Sequence, residues 1–221
     1  MIGWTPKPFI FVHIPKNAGT SIEKALIPFI SPYQDFKDFS QQERCKYWLP
    51  GNKGLQHKKL KRYEQHFNLN EYFKFAFVRN PWERAISQIE YLRTKAGAAI
   101  FSRETFKERL LMYCSSRKNI AGHDLGACQL DYLMDKSGKV SLDFIGRFES
   151  LDSDFNKICI ALGINPPLRL PHIFNSNRKL HYGEYYDEES INWIRERFAK
   201  DIDYFGYKFE WLDCNSTESK Q

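Results

Sequence analysis

Two stretches of this chain share one pattern: a short unbroken apolar run, a polar turn, then apolar positions at helical spacing. The first spans residues 9–26, FIFVHIPKNAGTSIEKAL. Residues 9–14 read as a buried strand, and Pro15-Lys16-Asn17-Ala18-Gly19 as the turn. Ile22, Ala25 and Leu26 then mark one helical face from Thr20-Ser21 onward, with Pro28 stopping the helix. Thr20 and Glu23 have the spacing of a capping box. The second stretch spans residues 73–93, FKFAFVRNPWERAISQIEYLR. Residues 73–78 predict a strand, Asn80 an N-cap and Pro81 a first helical residue. Trp82, Ala85, Ile86, Ile89 and Leu92 predict the buried face of the helix that follows.

The remaining pattern continues the alternation. A helix is expected over 104–115, with Phe106, Leu110 and Tyr113 on one face. A strand follows over 140–145, then a helix carrying Leu151, Phe155, Ile158, Cys159 and Leu162 that ends at Gly163. Asp187 is placed to cap a last helix carrying Ile191, Ile194, Phe198 and Ile202. Strands alternating with helices predict an α/β fold with a mostly parallel sheet. Residues 31–70 are polar and basic and separate the two stretches, as a lid or acceptor-binding insertion would. One domain over 1–212 is expected, followed by a disordered polar tail over 213–221.

The turns carry the chemistry. At a helix start the first amides lack intrahelical partners, and the dipole adds partial positive charge. Gly19 permits close backbone approach, Thr20 and Ser21 bring hydroxyls, and Lys16 brings a full charge. Together these predict an anion cradle built from Lys16, Asn17, Ala18, Gly19, Thr20 and Ser21. It is not the nucleoside-triphosphate loop, in which lysine directly follows the second glycine; here Lys16 precedes Gly19 by three residues. Arg79, at the end of the second strand, and Ser87, eight residues on, suit a second anionic group. Ligands of open α/β sheets bind at the carboxyl ends of the strands.

Composition narrows the partners. The chain has 221 residues, 42% of them hydrophobic, which is enough for a sizeable core. A formal charge of +6 favours anionic partners. Cysteines 45, 114, 128, 159 and 214 show no paired spacing, so neither a disulfide framework nor a zinc site is expected. No apolar run has the length of a membrane span and no signal peptide is recognisable; a cytoplasmic protein is expected, with peripheral membrane contact allowed.

PKNAGTS after one strand and VRNPWERAISQ after a later one resemble the sulfotransferases that use 3′-phosphoadenosine 5′-phosphosulfate (PAPS). The resemblance is to the carbohydrate group, which includes heparan, dermatan and chondroitin enzymes, and to its bacterial relatives. It extends more weakly through FIGRFESL at 144–151 and NSNRKLHYGEYY at 175–186. It implies a P-loop-like three-layer α/β fold with a mostly parallel central sheet flanked by helices. The first motif would bind the 5′-phosphosulfate; Arg79 and Ser87 would bind the 3′-phosphate. Arg178 and Lys179 would form a late basic loop against the nucleotide, with Tyr182 available for stacking.

Such a reaction moves a sulfuryl group from PAPS to a hydroxyl, most naturally of a glycan or glycoconjugate rather than nucleic acid, and leaves 3′-phosphoadenosine 5′-phosphate. No metal is demanded. Lys16 suits the charge that develops on the bridging oxygen. The base is expected among the histidines. His57 is favoured, because the carbohydrate enzymes place a catalytic histidine between the two donor motifs; His66 is the reserve, and His13 is a packed residue able to orient the donor. A kinase using a similar cradle and a non-catalytic polyanion binder are the alternatives.

Overall fold

The computed structural model describes residues 1–29, 57–94, 105–115, 119–120, 123–124, 127–171 and 180–211. Among them the strands are β1 (Ile2–Trp4), β2 (Pro8–Val12), β3 (Phe73–Val78), β4 (Asn119–Ile120), β5 (His123–Asp124) and β6 (Phe144–Arg147). The α-helices are α1 (Gly19–Leu26), α2 (Leu60–Tyr63), α3 (Pro81–Thr94), α4 (Phe106–Ser115), α5 (Leu130–Leu133), α6 (Leu151–Ala161), α7 (Glu188–Arg197) and α8 (Ala199–Phe205). The chain divides into two compact units: Met1–Arg79 with Ala127–Asn175, and Asn80–Gly126 with Ser176–Gln221.

The first unit holds a four-stranded sheet in the order β1-β2-β3-β6. β1 is antiparallel to β2, while β2, β3 and β6 are mutually parallel along the sheet. Phe9 faces Phe73 and Val12 faces Ala76; Phe75 faces Phe144 and Val78 faces Arg147. Apart from Lys74, which is paired with Asp143, the two inner strands are apolar on both faces, as sequences buried under helices must be. Phe9 and Phe11 pack against Phe75 with ring centroids 5.9 and 5.1 Å apart. α6 packs against β6 and buries Phe155, Ile158 and Cys159. Its end is set by Gly163 at φ +74°, where the amide of Ile164 reaches back to the carbonyl of Cys159 at 2.9 Å. The protein is therefore α/β, with a mostly parallel sheet flanked by helices.

The second unit is mainly helical. Trp82, Ala85, Ile86, Ile89 and Leu92 on α3 are buried, as their spacing predicts. Asn80 caps α3, its Oδ1 accepting from the amide of Trp82 at 3.0 Å. The Trp82 indole donates to the carbonyl of Ile191 on α7 at 3.1 Å, and Tyr186 Oη donates to the carbonyl of Trp82 at 2.7 Å. α7 opens on a capping box formed by Asp187 and Ser190. α4 begins at Phe106, behind Thr105, whose amide donates to the Glu108 carboxylate at 2.7 Å. Residue 104, where the periodicity starts this helix, lies outside the described residues.

Three sequence expectations need correction, and one strand is missing from them. β1 is absent from the pattern reading because three residues are too few to show a period. The strand expected over 140–145 lies at Phe144–Arg147 instead. Val140 belongs to the preceding turn, where it bridges Met134, and Asp143 opens the strand by exchanging backbone and side-chain bonds with Lys74. The last helix is interrupted at Phe198, so Ile202 belongs to α8 rather than to the helix capped by Asp187. The Thr20–Glu23 capping box does not form: α1 starts one residue earlier, at Gly19, and the Glu23 carboxylate turns to His13.

Within the span read as an insertion, residues 57–70 are described and carry α2 and a 3-10 turn at Leu69–Glu71; residues 31–56 lie outside the described set, as does the expected tail over 213–221. No helix among the described residues is long and apolar enough to cross a membrane.

Candidate active site

The turn between β2 and α1 is held in an uncommon backbone shape. Lys16 and Ala18 both have positive φ, at 70° and 60°, while the intervening Asn17 does not. For a residue with a Cβ, the left-handed conformation costs about 1–2 kcal/mol, so the surrounding packing must enforce it. Alternation of this kind curls successive amides toward one side and makes an anion-binding concavity. The amides of Ser21 and Ile22 are already engaged, donating to the carbonyl of Ala18 at 2.9 and 3.2 Å. From Ser21, then, the hydroxyl rather than the amide is the group to offer a ligand.

Asn17 fixes the turn from below. Its Nδ2 donates to the carbonyl of Phe77 on β3 and to Oε1 of Gln129, each at 2.7 Å. Gln129 is fully buried. Its Oε1 also accepts from the amide of Arg79 at 2.9 Å, and its Nε2 donates to the Arg79 carbonyl at 2.8 Å. Arg79 is buried at the end of β3 and points back to the cradle: its Nη1 donates to the carbonyl of Lys16 at 3.1 Å. The guanidinium also lies over the ring of Phe148, 3.8 Å from its centroid, a cation–π contact that braces it. Burial, with the Arg79 charge beside it, lowers the pKa of Lys16 to about 8.

A second cluster backs α1. His13 is buried, and its Nδ1 lies 2.5 Å from Oε1 of Glu23. Burial lowers the His13 pKa to about 3 and raises that of Glu23 to about 7. The other edge of the imidazole lies against Gly19, in the space where a side chain at that position would start. The need for glycine at 19 thus comes from His13, and not only from the approach of an anion. His57 stacks edge-on against His13, with centroids 4.3 Å apart, and its Nδ1 lies 3.3 Å from the His13 carbonyl. It too has positive φ, 58°, and burial lowers its pKa to about 3, leaving a neutral imidazole.

Lys16, Asn17, Ala18, Gly19, Thr20, Ser21, Arg79 and His57 therefore fall within one unit, with Arg79 at the cradle itself. Ser87 sits half-buried on α3 in the second unit. Arg178 and Lys179 lie outside the described residues. His66 is exposed, next to the ring of Phe67. The Tyr182 hydroxyl is engaged in its own unit, accepting from the amide of Glu210 at 2.8 Å. Among the described residues no group of His, Cys, Asp or Glu has the arrangement of a metal site.

The sequence marks neither Gln129 nor Phe148, and marks Glu23 only as a capping partner of Thr20, not as the partner of His13. Gln129 stands in ACQLDYL, an uncharged amide with no motif around it. Phe148 had a signal, as an aromatic directly after a strand in GRFES. Comparison with known proteins brings one finding: residues 5–208 match the model of a family described as the Sulfotransferase family. None of the curated proteins and none of the solved structures compared matches the chain.

Proposed function

Because the chain belongs to the sulfotransferase family, whose fold is P-loop-like, we propose that its cradle holds the phosphosulfate end of PAPS and that the acceptor is a carbohydrate hydroxyl. The family makes the protein a transferase of sulfuryl groups to a hydroxyl-bearing acceptor; the donor and the glycan are the finer reading. The carrying observation is that two cations, Lys16 and Arg79, meet at a preformed concavity of backbone amides at the ends of two parallel strands. That arrangement suits a donor with more than one anionic group. The carbohydrate acceptor rests on the sequence resemblance.

In this reading the residues divide the work. The amides of 17–20 and the hydroxyls of Thr20 and Ser21 hold the phosphate. Lys16 stands against the bridging oxygen. As the acceptor oxygen bonds to sulfur and the bond from sulfur to the bridging oxygen breaks, negative charge grows on that oxygen, and a fixed ammonium stabilises it without reorganisation. His57, neutral before donor binding, takes the acceptor proton. The bound anion raises the basicity of a neighbouring imidazole, which brings His57 back toward a useful range. Arg79 carries the 3′-phosphate, with Ser87 and the pair Arg178 and Lys179 retained on the sequence resemblance alone.

The test is ligand-induced stabilisation followed by transfer. At a hundredfold excess over Kd, a ligand stabilises by about 2.7 kcal/mol, which for a chain this long means roughly 5–10 °C in Tm. Adenosine 3′,5′-bisphosphate should give that shift, and radiolabelled sulfate from PAPS should appear on a glycan acceptor. A shift with ATP and magnesium but none with the bisphosphate would overturn the donor. Transfer to simple phenols with none to any glycan would overturn the acceptor.

A further inference from the structure

We infer that Gln129 is a positioning residue for transfer, setting the separation of Lys16 and Arg79 by bonding simultaneously to the turns that carry them. The inference rests on the donor reading above. Its amide is fully buried and engaged on both sides. Oε1 accepts from Asn17 Nδ2 at 2.7 Å and from the Arg79 amide at 2.9 Å; Nε2 donates to the Arg79 carbonyl at 2.8 Å.

The two bonds to Arg79 grip its peptide from both ends, as a neighbouring strand would, just where β3 ends. The bond to Asn17 then transmits that position to the cradle between the two positive-φ residues. Asn17 Nδ2 makes its second bond to Phe77, so the cradle, the strand end and Gln129 form one connected set. No other side-chain amide supplies an acceptor and a donor at this reach. Glutamate would put a negative charge beside the anion seat, and asparagine falls one methylene short.

Gln129 touches neither donor nor acceptor in this arrangement; it acts through Asn17 and Arg79. Its loss therefore shows as a change in how two cations share one ligand, not only as lost stability. With Arg79 displaced, Lys16 loses the neighbouring charge that helps to hold its pKa down. That effect can be read without any donor.

The experiment compares wild type with Gln129→Met, which keeps the volume and removes the three bonds named above, and with Gln129→Asn, which keeps an uncharged amide one methylene too short to make them. Three quantities are read: the Kd for adenosine 3′,5′-bisphosphate, kcat and KM for PAPS, and the pH midpoint for labelling of Lys16 by an amine reagent, located by peptide mapping. Gln129→Met should weaken the bisphosphate and lower kcat, each tenfold or more, and move the Lys16 midpoint upward. Gln129→Asn, which adds no charge, keeps the test open if Gln129→Met does not fold, and should show the same direction in Kd and kcat. Kd, kcat and midpoint unchanged from wild type, with only a lower Tm, would overturn the proposal. Should wild type bind no bisphosphate, the donor reading fails; the Kd of the cradle for inorganic phosphate then decides, a tenfold weakening in Gln129→Met supporting Gln129 and an unchanged value sinking it.

Discussion

The imidazole of His13 occupies the space in which a side chain at Gly19 would begin. Strand end and helix start are thus locked by one ring, which is itself anchored to Glu23 on the same helix. Gly19→Ala should cost about 1–3 kcal/mol, the range for overpacking a filled core. It should also weaken bisphosphate binding, since the backbone that must move is the cradle. The double variant Gly19→Ala/His13→Ala should lose less than the sum of the singles, because removing the ring vacates the space. Thermal melts of the four proteins check this; strict additivity would show that the ring is not what excludes a side chain at 19.

The Lys16 ammonium has its pKa lowered to about 8 by burial and by Arg79. A lowered pKa means that the free protein loses this charge as pH rises through about 8. The donor kcat/KM, which reports groups in the free enzyme, should therefore fall above that pH. Lys16→Arg keeps a cation that does not titrate in this range, so the alkaline fall should vanish even where the plateau is lower. An unchanged alkaline limb in Lys16→Arg would assign it to another group.

His57 and His13 both carry pKa values lowered to about 3, so neither imidazole titrates between pH 5 and 7 in the free protein. The donor kcat/KM should therefore lack the acid limb of an ordinary histidine, and a change near pH 7 would belong to Glu23, whose carboxyl pKa burial raises to about 7. His57→Ala should reduce kcat by two to four orders of magnitude, the usual span of general-base catalysis, while the bisphosphate Kd stays within about twofold. Near-normal turnover would move the base to His66 or His13.

Arg79 stacks on Phe148 and reaches the Lys16 carbonyl. Arg79→Ala should weaken adenosine 3′,5′-bisphosphate far more than AMP, by about 1.5–3 kcal/mol for a lost charge-assisted bond. Calorimetric titration of both nucleotides decides the matter. Equal losses would reassign Arg79 to the 5′ anion held by the cradle.

What the sequence displays and what it conceals follow from range. The strand–turn–helix stretches around Lys16 and Arg79 are local, and their apolar runs and caps mark them directly. So is the bend at Gly163, where a left-handed residue ends α6. Glu23 misled the reading, because a side chain at capping distance from Thr20 found a better partner in buried His13. Phe198 misled it too: apolar spacing continues straight through the break between α7 and α8. Gln129 is legible only in three dimensions, since the side-chain bonds that join it to the cradle run to partners 50 and 112 residues away.

That distance has a consequence for the order in which the protein acquires its chemistry. As the chain leaves the ribosome, both recognisable motifs emerge well before residue 129. A nascent chain, or a fragment ending near residue 93, would carry every residue of the two signatures and still lack the amide that joins them. Competence to hold the donor should thus arrive late, in one step, when the segment around residue 129 docks against β3, rather than growing as each motif is synthesised.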